Sequence, residues 1–282
     1  MDTSEPLSAE GGVTEFRRHI YSFYEKEGRS FPWRENTDPW GILVSEFMLQ
    51  QTQTSRVIPY WLRWMEIWPS PDQLNAASLE EVLKEWSGLG YNRRAKRLKE
   101  CSRVIVRDLE GKVPVTPEAL EILPGIGPYT AGAIACFAYN YPSTFIETNI
   151  RSAILHYFFP GENRITDREL MPILEAVLDR DNPRKWYWAL MDYGAAIKKL
   201  NPNPNRRSAH YSRQSAFAGS FRQIRGSLIR TLVSSGPATA EELRARLNIP
   251  VEETDFQKAL ESLGRESLVA EEGGKYTIGK EE

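Results

Sequence analysis

Two carboxylates in unusual settings are the residues of this 282-residue sequence that first suggest chemistry. Glu46 lies inside an apolar run, VSEFMLQQTQ, at 44–53. This setting should partly desolvate the carboxyl group and raise its pKa, which suits a general acid. Glu147 follows an apolar pair and precedes Thr148 and Asn149, residue types typical of turns and helix caps. Both also have ordinary interpretations, Glu46 as a solvent-facing helix residue, which the pattern alone favours, and Glu147 as a helix cap.

A glycine-containing turn, Leu-Pro-Gly-Ile-Gly at 123–127, separates two segments with helical patterns. Gly125 and Gly127 would let a tight hairpin bring backbone amides close to an anion, and the following helix would add its positive end. Such donors suit a DNA phosphate and read no sequence. Taken alone, the turn fits an ordinary loop better. Gln50 and Gln51, close to Glu46, have side chains that can wedge into a base stack or bond to base edges.

Basic residues are concentrated in two stretches, although the net charge of −2 is not typical of a nucleic-acid-binding protein. No acidic residue occurs between Tyr193 and Ala240. The basic residues of this stretch are Lys198, Lys199, Arg206, Arg207, Arg213, Arg222, Arg225 and Arg230. The second cluster comprises Arg93, Arg94, Lys96, Arg97 and Lys99. Both predict phosphate binding, although the second cluster alone equally fits a solvated helix face.

The elements that position these residues are almost all predicted to be helices. The apolar run predicts a long helix over 40–53, and capping boxes are indicated at Ser78 with Glu81 and at Thr239 with Glu242. After an Asn-Pro repeat at 201–205, three helical patterns are closed by a hairpin, the order of a winged helix. We therefore predict an all-α, two-lobed body (1–197), a basic linker (198–220) and a small winged-helix-like α+β module (221–282).

Composition narrows the environment of the chain. No apolar run has the length of a membrane span, and the polar start lacks the apolar region of a signal peptide. We expect a monomer in the cytoplasm, associated with the nucleoid and not with a membrane. The two cysteines, Cys101 and Cys136, are predicted to be buried reduced thiols, and no histidine or cysteine has the spacing of zinc ligands.

Taken together, these motifs resemble the MutY-type adenine glycosylases of the helix-hairpin-helix superfamily. The resemblance rests on FPWRENTDPWGILVSEFMLQQTQTSRVIPYW, EWSGLGYNRRAKRL, LPGIGPYTAGAIA and ALMDYGA, which occur in the family's order and spacing. It covers about the first three-quarters of the chain. It implies the two-lobed helix-hairpin-helix fold and a DNA glycosylase of base excision repair, acting on double-stranded DNA that contains a mispaired or damaged base.

The resemblance also assigns roles to residues. Glu46 matches the general acid that protonates the purine ring, and Glu147 stands where the family has an aspartate that stabilises the oxocarbenium ion. Asn149 matches a residue that orients this carboxylate and water. The pocket for the flipped adenine would be lined by Trp33, Arg34, Tyr129 and Asp192. The residues expected at the DNA itself are Gln50, Gln51, Tyr91, Gly125, Gly127, Arg206 and Arg207. Because Tyr129 stands where the endonuclease III branch has a Schiff-base lysine, the resemblance implies a monofunctional enzyme.

Three departures from the family pattern stand out. At the family's spacing, the four cysteines of an iron–sulfur cluster are replaced by Lys198, Asn205, Ser208 and Gln214, so we expect no cluster and no cofactor. The loop would be held by the Asn-Pro repeat and by packing of Arg206, Arg207, His210 and Tyr211, and would still meet the DNA backbone. Glu147 replaces aspartate and Thr148 replaces glycine. The winged-helix-like module stands where the family carries a domain that reads oxidised guanine.

The predicted reaction is hydrolysis of the glycosidic bond of a flipped adenine, mispaired with oxidised guanine or guanine. One alternative is a glycosylase for another base, such as thymine or uracil in G mispairs or an oxidised pyrimidine. Another is a non-catalytic DNA-binding protein that uses its winged helix.

Overall fold

The computed structural model describes residues 9–199, 202–212 and 216–279, so Arg213 and Gln214 lie outside the described residues. Within these ranges the chain forms fifteen α-helices, one 3₁₀ turn (Pro204–Arg207) and one two-stranded sheet. The helices are α1 (Ala9–Glu27), α2 (Pro32–Glu35), α3 (Pro39–Leu49), α4 (Thr54–Ile67), α5 (Pro71–Ala76), α6 (Leu79–Trp86), α7 (Arg93–Asp108), α8 (Pro117–Leu120), α9 (Pro128–Tyr139), α10 (Thr148–Phe158), α11 (Asp167–Val177), α12 (Pro183–Ile197), α13 (Phe221–Ser235), α14 (Ala240–Arg246) and α15 (Glu253–Arg265). The strands are β1 (Val269–Glu272) and β2 (Lys275–Ile278). Not one of the helices in the described ranges combines the length and the apolar character that crossing a membrane requires.

The chain divides into two compact units, each built from separate segments. The first unit comprises Met1–Ile42, Pro114–Ile122 and Ile126–Arg213. Its centre is the packing of α12 against α10 and α1. Aromatic side chains fill this core: Phe145 stacks on Tyr187 with ring centroids 4.0 Å apart, and Phe16 meets Trp186 edge to face. Such pairs contribute beyond the apolar area they bury.

The second unit comprises Leu43–Val113, Leu123–Gly125 and Gln214–Glu282. A tryptophan cluster marks its core, with Trp64 in edge-to-face contact with both Trp68 and Trp86. The C-terminal helices α13, α14 and α15 and the antiparallel pair β1–β2 belong to this unit, and α13 packs against α6. The mainly helical fold with a small C-terminal sheet is therefore confirmed. The domain boundaries at 197 and 220 stay predictions.

Local sequence signals are reproduced closely, with one correction. The capping boxes of Ser78 with Glu81 and of Thr239 with Glu242 are both formed. The helix predicted over 40–53 instead ends at Leu49, and α4 begins at Thr54 after the N-cap Gln53. The reason is that Gln51 adopts a left-handed backbone conformation with φ of 54°, which an α-helix cannot contain.

Candidate active site

Glu147 is held at the N-terminus of α10, where it is the N-cap residue. Its Oε1 accepts hydrogen bonds from the backbone N–H groups of Asn149, at 2.7 Å, and Ile150, at 2.8 Å. The Asn149 side chain donates to Oε2 at 3.2 Å. The capping interpretation is thus correct, and the same contacts fix the direction in which the carboxylate points. Its catalytic role stays a prediction at this point.

Lys198 is bound to the same cluster, although the sequence suggested no role for it there. Its Nζ donates to Oδ1 of Asn149 at 2.9 Å, so the Asn149 amide bridges the ammonium and the Glu147 carboxylate. Lys198 lies at the C-terminal end of α12, which crosses α10 closely at Gly194. A Cβ atom at Gly194 would lie 2.0 Å from the backbone oxygen of Asn149. The glycine of the MDYGA motif therefore permits the contact between Lys198 and Asn149.

Glu147 is partly buried and has positively charged neighbours. Desolvation raises the pKa of Glu147 above its ordinary value. The two backbone amides and the charges of Lys198 and Arg151 offset only part of this rise in pKa. Arg151 itself is paired with Asp167 at 2.7 Å. Any change that removes the charge of Lys198 will therefore raise the pKa of Glu147 further.

Trp33, Arg34 and Asp192, which were assigned to the base pocket, form one cluster with the partly buried Arg29, a residue that the sequence did not indicate. Asp192 is 2% exposed and accepts two hydrogen bonds of 2.9 Å from Arg34. Arg29 also binds Asp192, through its backbone N–H at 2.8 Å and its guanidinium at 2.6 Å. The ring of Phe31 lies beneath both arginines and stacks on Trp33.

Asp192 is ionised in this cluster. Desolvation alone would raise the pKa of Asp192, but the hydrogen bonds and charges of Arg34 and Arg29 outweigh it and lower the pKa overall. The guanidinium group of Arg34 is held in one orientation by two hydrogen bonds to the Asp192 carboxylate. Arg34 and Asp192 thus stabilise each other, and the flat Trp33 ring is held beside them through Phe31.

Tyr129 and Gly127 lie at the start of α9. Gly127 is the N-cap residue and is exposed, as the prediction of an amide-lined turn requires. Tyr129 is partly buried and meets Phe145 edge to face, with ring centroids 5.8 Å apart. Phe145 also packs on Gly132, where a Cβ would lie 3.1 Å from its ring. Tyr129 thus packs on Phe145, whose close approach to α9 is permitted by Gly132.

Glu46 lies on α3 in the part of that helix that belongs to the second unit. Its residue exposure is 5%, and the neighbouring Phe47 and Met48 are buried as well. The solvent-facing interpretation of Glu46 is therefore wrong. Burying a carboxyl group has a large cost in free energy, which favours an uncharged or well-bonded form at such a position. The predicted general-acid role is compatible with this burial and stays a prediction.

Gln51 and Tyr91, the two residues expected to intrude into the duplex, are both in left-handed backbone conformations. Their φ angles are 54° and 50°. Positive φ in non-glycine residues is uncommon and is found preferentially at functional sites. Gln51 is exposed and follows α3, next to the partly buried Gln50, whereas Tyr91 precedes α7.

Arg94 joins these two loops. Its Nη1 donates to the backbone oxygens of Phe47, Met48 and Gln50 at 2.7–2.9 Å. Its Nη2 donates to Gly90 at 3.0 Å. Burial lowers the pKa of Arg94 to about 10. The prediction that Arg94 belongs to a phosphate-binding surface is therefore wrong, because its guanidinium is used to tie the loop after α3 to the loop before α7.

Gly125 occupies a place in the second unit that has no room for a side chain. It has φ of 85°, and a Cβ would lie 2.8 Å from Cβ of Arg97 and 3.1 Å from the ring of Phe47. Only glycine meets both requirements without strain. The residue itself is exposed, which leaves the turn accessible to an anion.

The sequence of the loop after α12 contains no cysteine. The positions that would carry cysteines hold an ammonium at Lys198, an amide at Asn205 and a hydroxyl at Ser208, and the fourth, Gln214, lies outside the described residues. None of these groups binds iron as a thiolate does. Cys101 and Cys136 are buried in α7 and α9, as predicted. The residues present therefore do not fit the cluster.

Arg207 and backbone pairing hold this loop in place. The guanidinium of Arg207 donates to the carbonyls of Phe159 and of Leu155, the latter at 2.7 Å, at the C-terminal end of α10. Ile165 pairs with the loop by accepting from Ala209 at 2.9 Å and donating to Arg207 at 3.1 Å. A basic side chain at a helix C-terminus bonds its unpaired carbonyls. Arg206, His210 and Tyr211 are exposed, so Arg207 is the side chain of the predicted four that anchors the loop.

The neighbouring arginines Arg206 and Arg207 should respond differently to substitution. Arg207→Gln leaves carbonyls of α10 without their donors and is expected to lower the free energy of unfolding by about 1–3 kcal/mol. Arg206→Gln should leave stability unchanged and reduce the salt dependence of DNA affinity, because the exposed Arg206 is the one available to a phosphate. Denaturant unfolding and binding across a salt series measure the two effects. Equal stability of the two variants would contradict the anchoring role.

Comparison with known proteins places this geometry in context. Residues 44–180 match the family described as HhH-GPD superfamily base excision DNA repair protein. Over 272 residues the chain is 37% identical to a protein of Mycobacterium tuberculosis named adenine DNA glycosylase, covering 89% of each chain. It is 35% identical over 282 residues to the adenine DNA glycosylase of Mycolicibacterium smegmatis, covering 93% of this chain and 95% of the relative.

A solved structure shows the same fold. The chain is similar to a thermostable thymine-DNA glycosylase with a TM-score of 0.63 and 26% identity, over 70% of this chain and 93% of the other.

Proposed function

This chain belongs to the HhH-GPD superfamily of base excision DNA repair proteins and, within it, to the adenine DNA glycosylases, and from that membership we propose that it excises mispaired adenine from double-stranded DNA. The proposed substrate is adenine opposite oxidised guanine or guanine. The chain acts as a DNA glycosylase, so the bond that breaks joins the base to its sugar. Because that bond is inaccessible inside a duplex, the adenine must first be flipped out of the stack.

In the proposed mechanism Glu46 protonates the departing adenine and Glu147 stabilises the positive charge that develops on the sugar. This division of labour is that of glycoside cleavage, in which one carboxyl group assists the leaving group and a carboxylate serves the anomeric carbon. Asn149 keeps the Glu147 carboxylate in position and is available to orient the water that completes hydrolysis. Gln51 and Tyr91 enter the space that the flipped base leaves.

The proposal also holds that the enzyme does not cut the DNA strand through an elimination reaction at the abasic sugar. A bifunctional glycosylase needs an amine at the active site to form a Schiff base with the sugar. Tyr129 stands at the position of that amine in the endonuclease III branch, and a phenol cannot form the same adduct. The enzyme is accordingly monofunctional and leaves an intact abasic site.

The observation that carries the proposal is the arrangement around Glu147. Its carboxylate is fixed by two backbone amides and by the Asn149 side chain, and Asn149 is fixed in turn by Lys198. A cap needs only the amides. The additional hydrogen bonds from Lys198 to Asn149 and from Asn149 to Glu147 hold the carboxylate in one orientation. Stabilisation of a developing charge requires such a preorganised group.

The test is single-turnover base release on a panel of defined duplexes, with alkali added afterwards to cut abasic sites. The panel contains adenine opposite oxidised guanine, guanine and cytosine, and thymine, uracil and oxidised pyrimidines opposite guanine. We expect release of adenine opposite oxidised guanine and guanine, with no strand cleavage before alkali. Cleavage without alkali would contradict the monofunctional assignment.

Thymine is the second candidate substrate, because the thymine-DNA glycosylase structure shares the fold at 26% identity. Release of thymine and not of adenine from the same panel would change the assigned substrate to thymine and leave the two-carboxylate mechanism in place. The predicted monomer, cytoplasmic location and lack of a cofactor belong to the proposal as well. Of these, the lack of a cofactor is supported by the loop that contains Lys198, Asn205 and Ser208 in place of cysteines.

A further inference from the structure

In the C-terminal module, positive and negative charges are concentrated on different elements. Helix α13 contains three arginines and no acidic residue. From 252 to 279, which includes α15 and the β1–β2 hairpin, seven acidic residues occur with three basic ones. In helix-turn-helix proteins the second helix of the motif enters the major groove. In the order of a winged helix that helix is α15, whose exposed acidic residues, Glu253, Asp255 and Glu261, outnumber its basic residues, Lys258 and Arg265. This charge balance does not favour phosphate binding.

A groove of about 1300 Å³ lies within the second unit and has α13 as one of its walls. Its other wall includes the loops that carry Gln51 and Tyr91. Besides the buried Arg94, the arginines that line it are Arg56, Arg93, Arg97, Arg222, Arg225 and Arg230. Among the described residues that line the groove, Glu266 is the one acid, and it is paired with Arg225 at 2.7 Å. Arg97 is likewise paired with Glu100 at 2.7 Å. Basic residues nevertheless outnumber acidic ones in the lining, so the groove carries a net positive charge.

Two exposed aromatic side chains stand at α13. Phe217 is 57% exposed and Phe221 is 41% exposed, and both line the groove. Large exposed rings beside arginines are characteristic of nucleic-acid-binding grooves, where they stack on bases. An acidic protein partner would account for the arginines but gives less reason for these rings.

Helix α13 also contacts one of the residues that would intrude into the duplex. Nη1 of Arg222 donates to the Tyr91 hydroxyl at 2.6 Å, and its guanidinium lies over the Tyr91 ring at 5.5 Å from the centroid. The groove therefore begins at the lesion-contacting loop and continues along α13. DNA that contacted Tyr91 would therefore lie at the groove.

We propose that the groove between α13 and the loops of Gln51 and Tyr91 binds the DNA backbone next to the lesion, so that the C-terminal module grips DNA with its first helix and not with α15. The inference rests on the proposed function, because it needs the loops of Gln51 and Tyr91 to meet DNA. Arg230 is exposed on α13 and supplies a phosphate contact. The acidic residues Glu253, Asp255 and Glu261 of α15 do not line the groove.

The experiment compares two charge reversals in the same module. Arg230→Glu lies in the groove, whereas Arg246→Glu changes an exposed arginine of α14 that does not line it. Affinity for an undamaged duplex is measured over a salt series, and thermal unfolding confirms that both variants are folded. Arg230→Glu is expected to weaken binding about tenfold at low salt and to reduce the slope of log affinity against log salt by about one. Arg246→Glu should match the wild type.

The outcomes separate this inference from the proposed function. Equal affinities and salt slopes for the two variants, with normal adenine release, would overturn the groove and leave the enzyme activity standing. Weaker binding by Arg230→Glu alone, in an enzyme that releases no adenine from any duplex, would keep the groove and overturn the proposed substrate. A milder substitution, Arg230→Ala, should show the same change in slope with a smaller loss of affinity.

Discussion

Replacing Glu46 with glutamine is expected to lower the single-turnover rate of adenine release by about 10²–10⁴-fold, the contribution typical of a general acid. Glutamine preserves the volume of the buried side chain but cannot give a proton to the departing base. Affinity for duplex DNA should stay at the wild-type value, because a group that is 5% exposed on α3 adds little to the surface that meets phosphates. Base release and fluorescence anisotropy on the same duplex measure the two effects.

The matched control for this substitution is Glu66→Gln. Glu66 is exposed on α4 and has no role in the proposed chemistry. It should retain wild-type base release and binding. A normal rate of base release for Glu46→Gln, together with normal binding, would show that Glu46 is not the general acid and that another group donates the proton. Loss of binding together with rate would instead assign Glu46 a structural role in the loop that follows α3.

Replacing Lys198 with methionine is expected to slow base release by up to about 100-fold, because small displacements of a catalytic group can have effects of this size. Methionine keeps the length of the side chain and removes the donor that holds Asn149. The acid limb of the pH–rate profile should also move to higher pH. The charge of Lys198 lowers the pKa of Glu147, so its removal raises that pKa, and a higher pH is then needed to ionise the carboxylate.

Lys199→Met serves as the control, since Lys199 is the next residue in the chain and is exposed. A merely structural role for Lys198 would lower stability without moving the pH profile, so the acid limb is the decisive measurement. If Lys198→Met and Lys199→Met share the same profile and rate, the chain from Lys198 through Asn149 to Glu147 does not act in catalysis. Lys198→Arg, which keeps the charge, should restore the position of the acid limb.

Features written in short stretches of sequence were predicted well. The capping boxes, the C-terminal hairpin and the glycine turn depend on residues a few positions apart, so their chemistry can be read directly. The burial of Glu46 was predicted only as one of two possibilities. An apolar run identifies a buried helix but does not tell which of its polar residues faces inward.

Contacts between distant segments were not predictable in the same way. Arg29 is 163 positions from Asp192, and no local pattern marks it as the partner. Arg94 looked like one member of a basic cluster, and its burial depends on carbonyls more than 40 residues away. The sequence indicated that Lys198 stands in place of a cysteine, but not that it donates a hydrogen bond to Asn149. In each case the partner is chosen by tertiary packing, which charge patterns do not encode.

The close crossing of α12 and α10 has a genetic consequence. Position 194 admits no side chain, because even the methyl group of alanine would lie 2.0 Å from the Asn149 carbonyl. Every missense change in that codon must separate the two helices, and with them Lys198 and the end of α10 that carries Glu147. If Glu147 acts as proposed, inherited or laboratory variants at this codon are expected to impair catalysis, although residue 194 has no side chain with which to touch DNA.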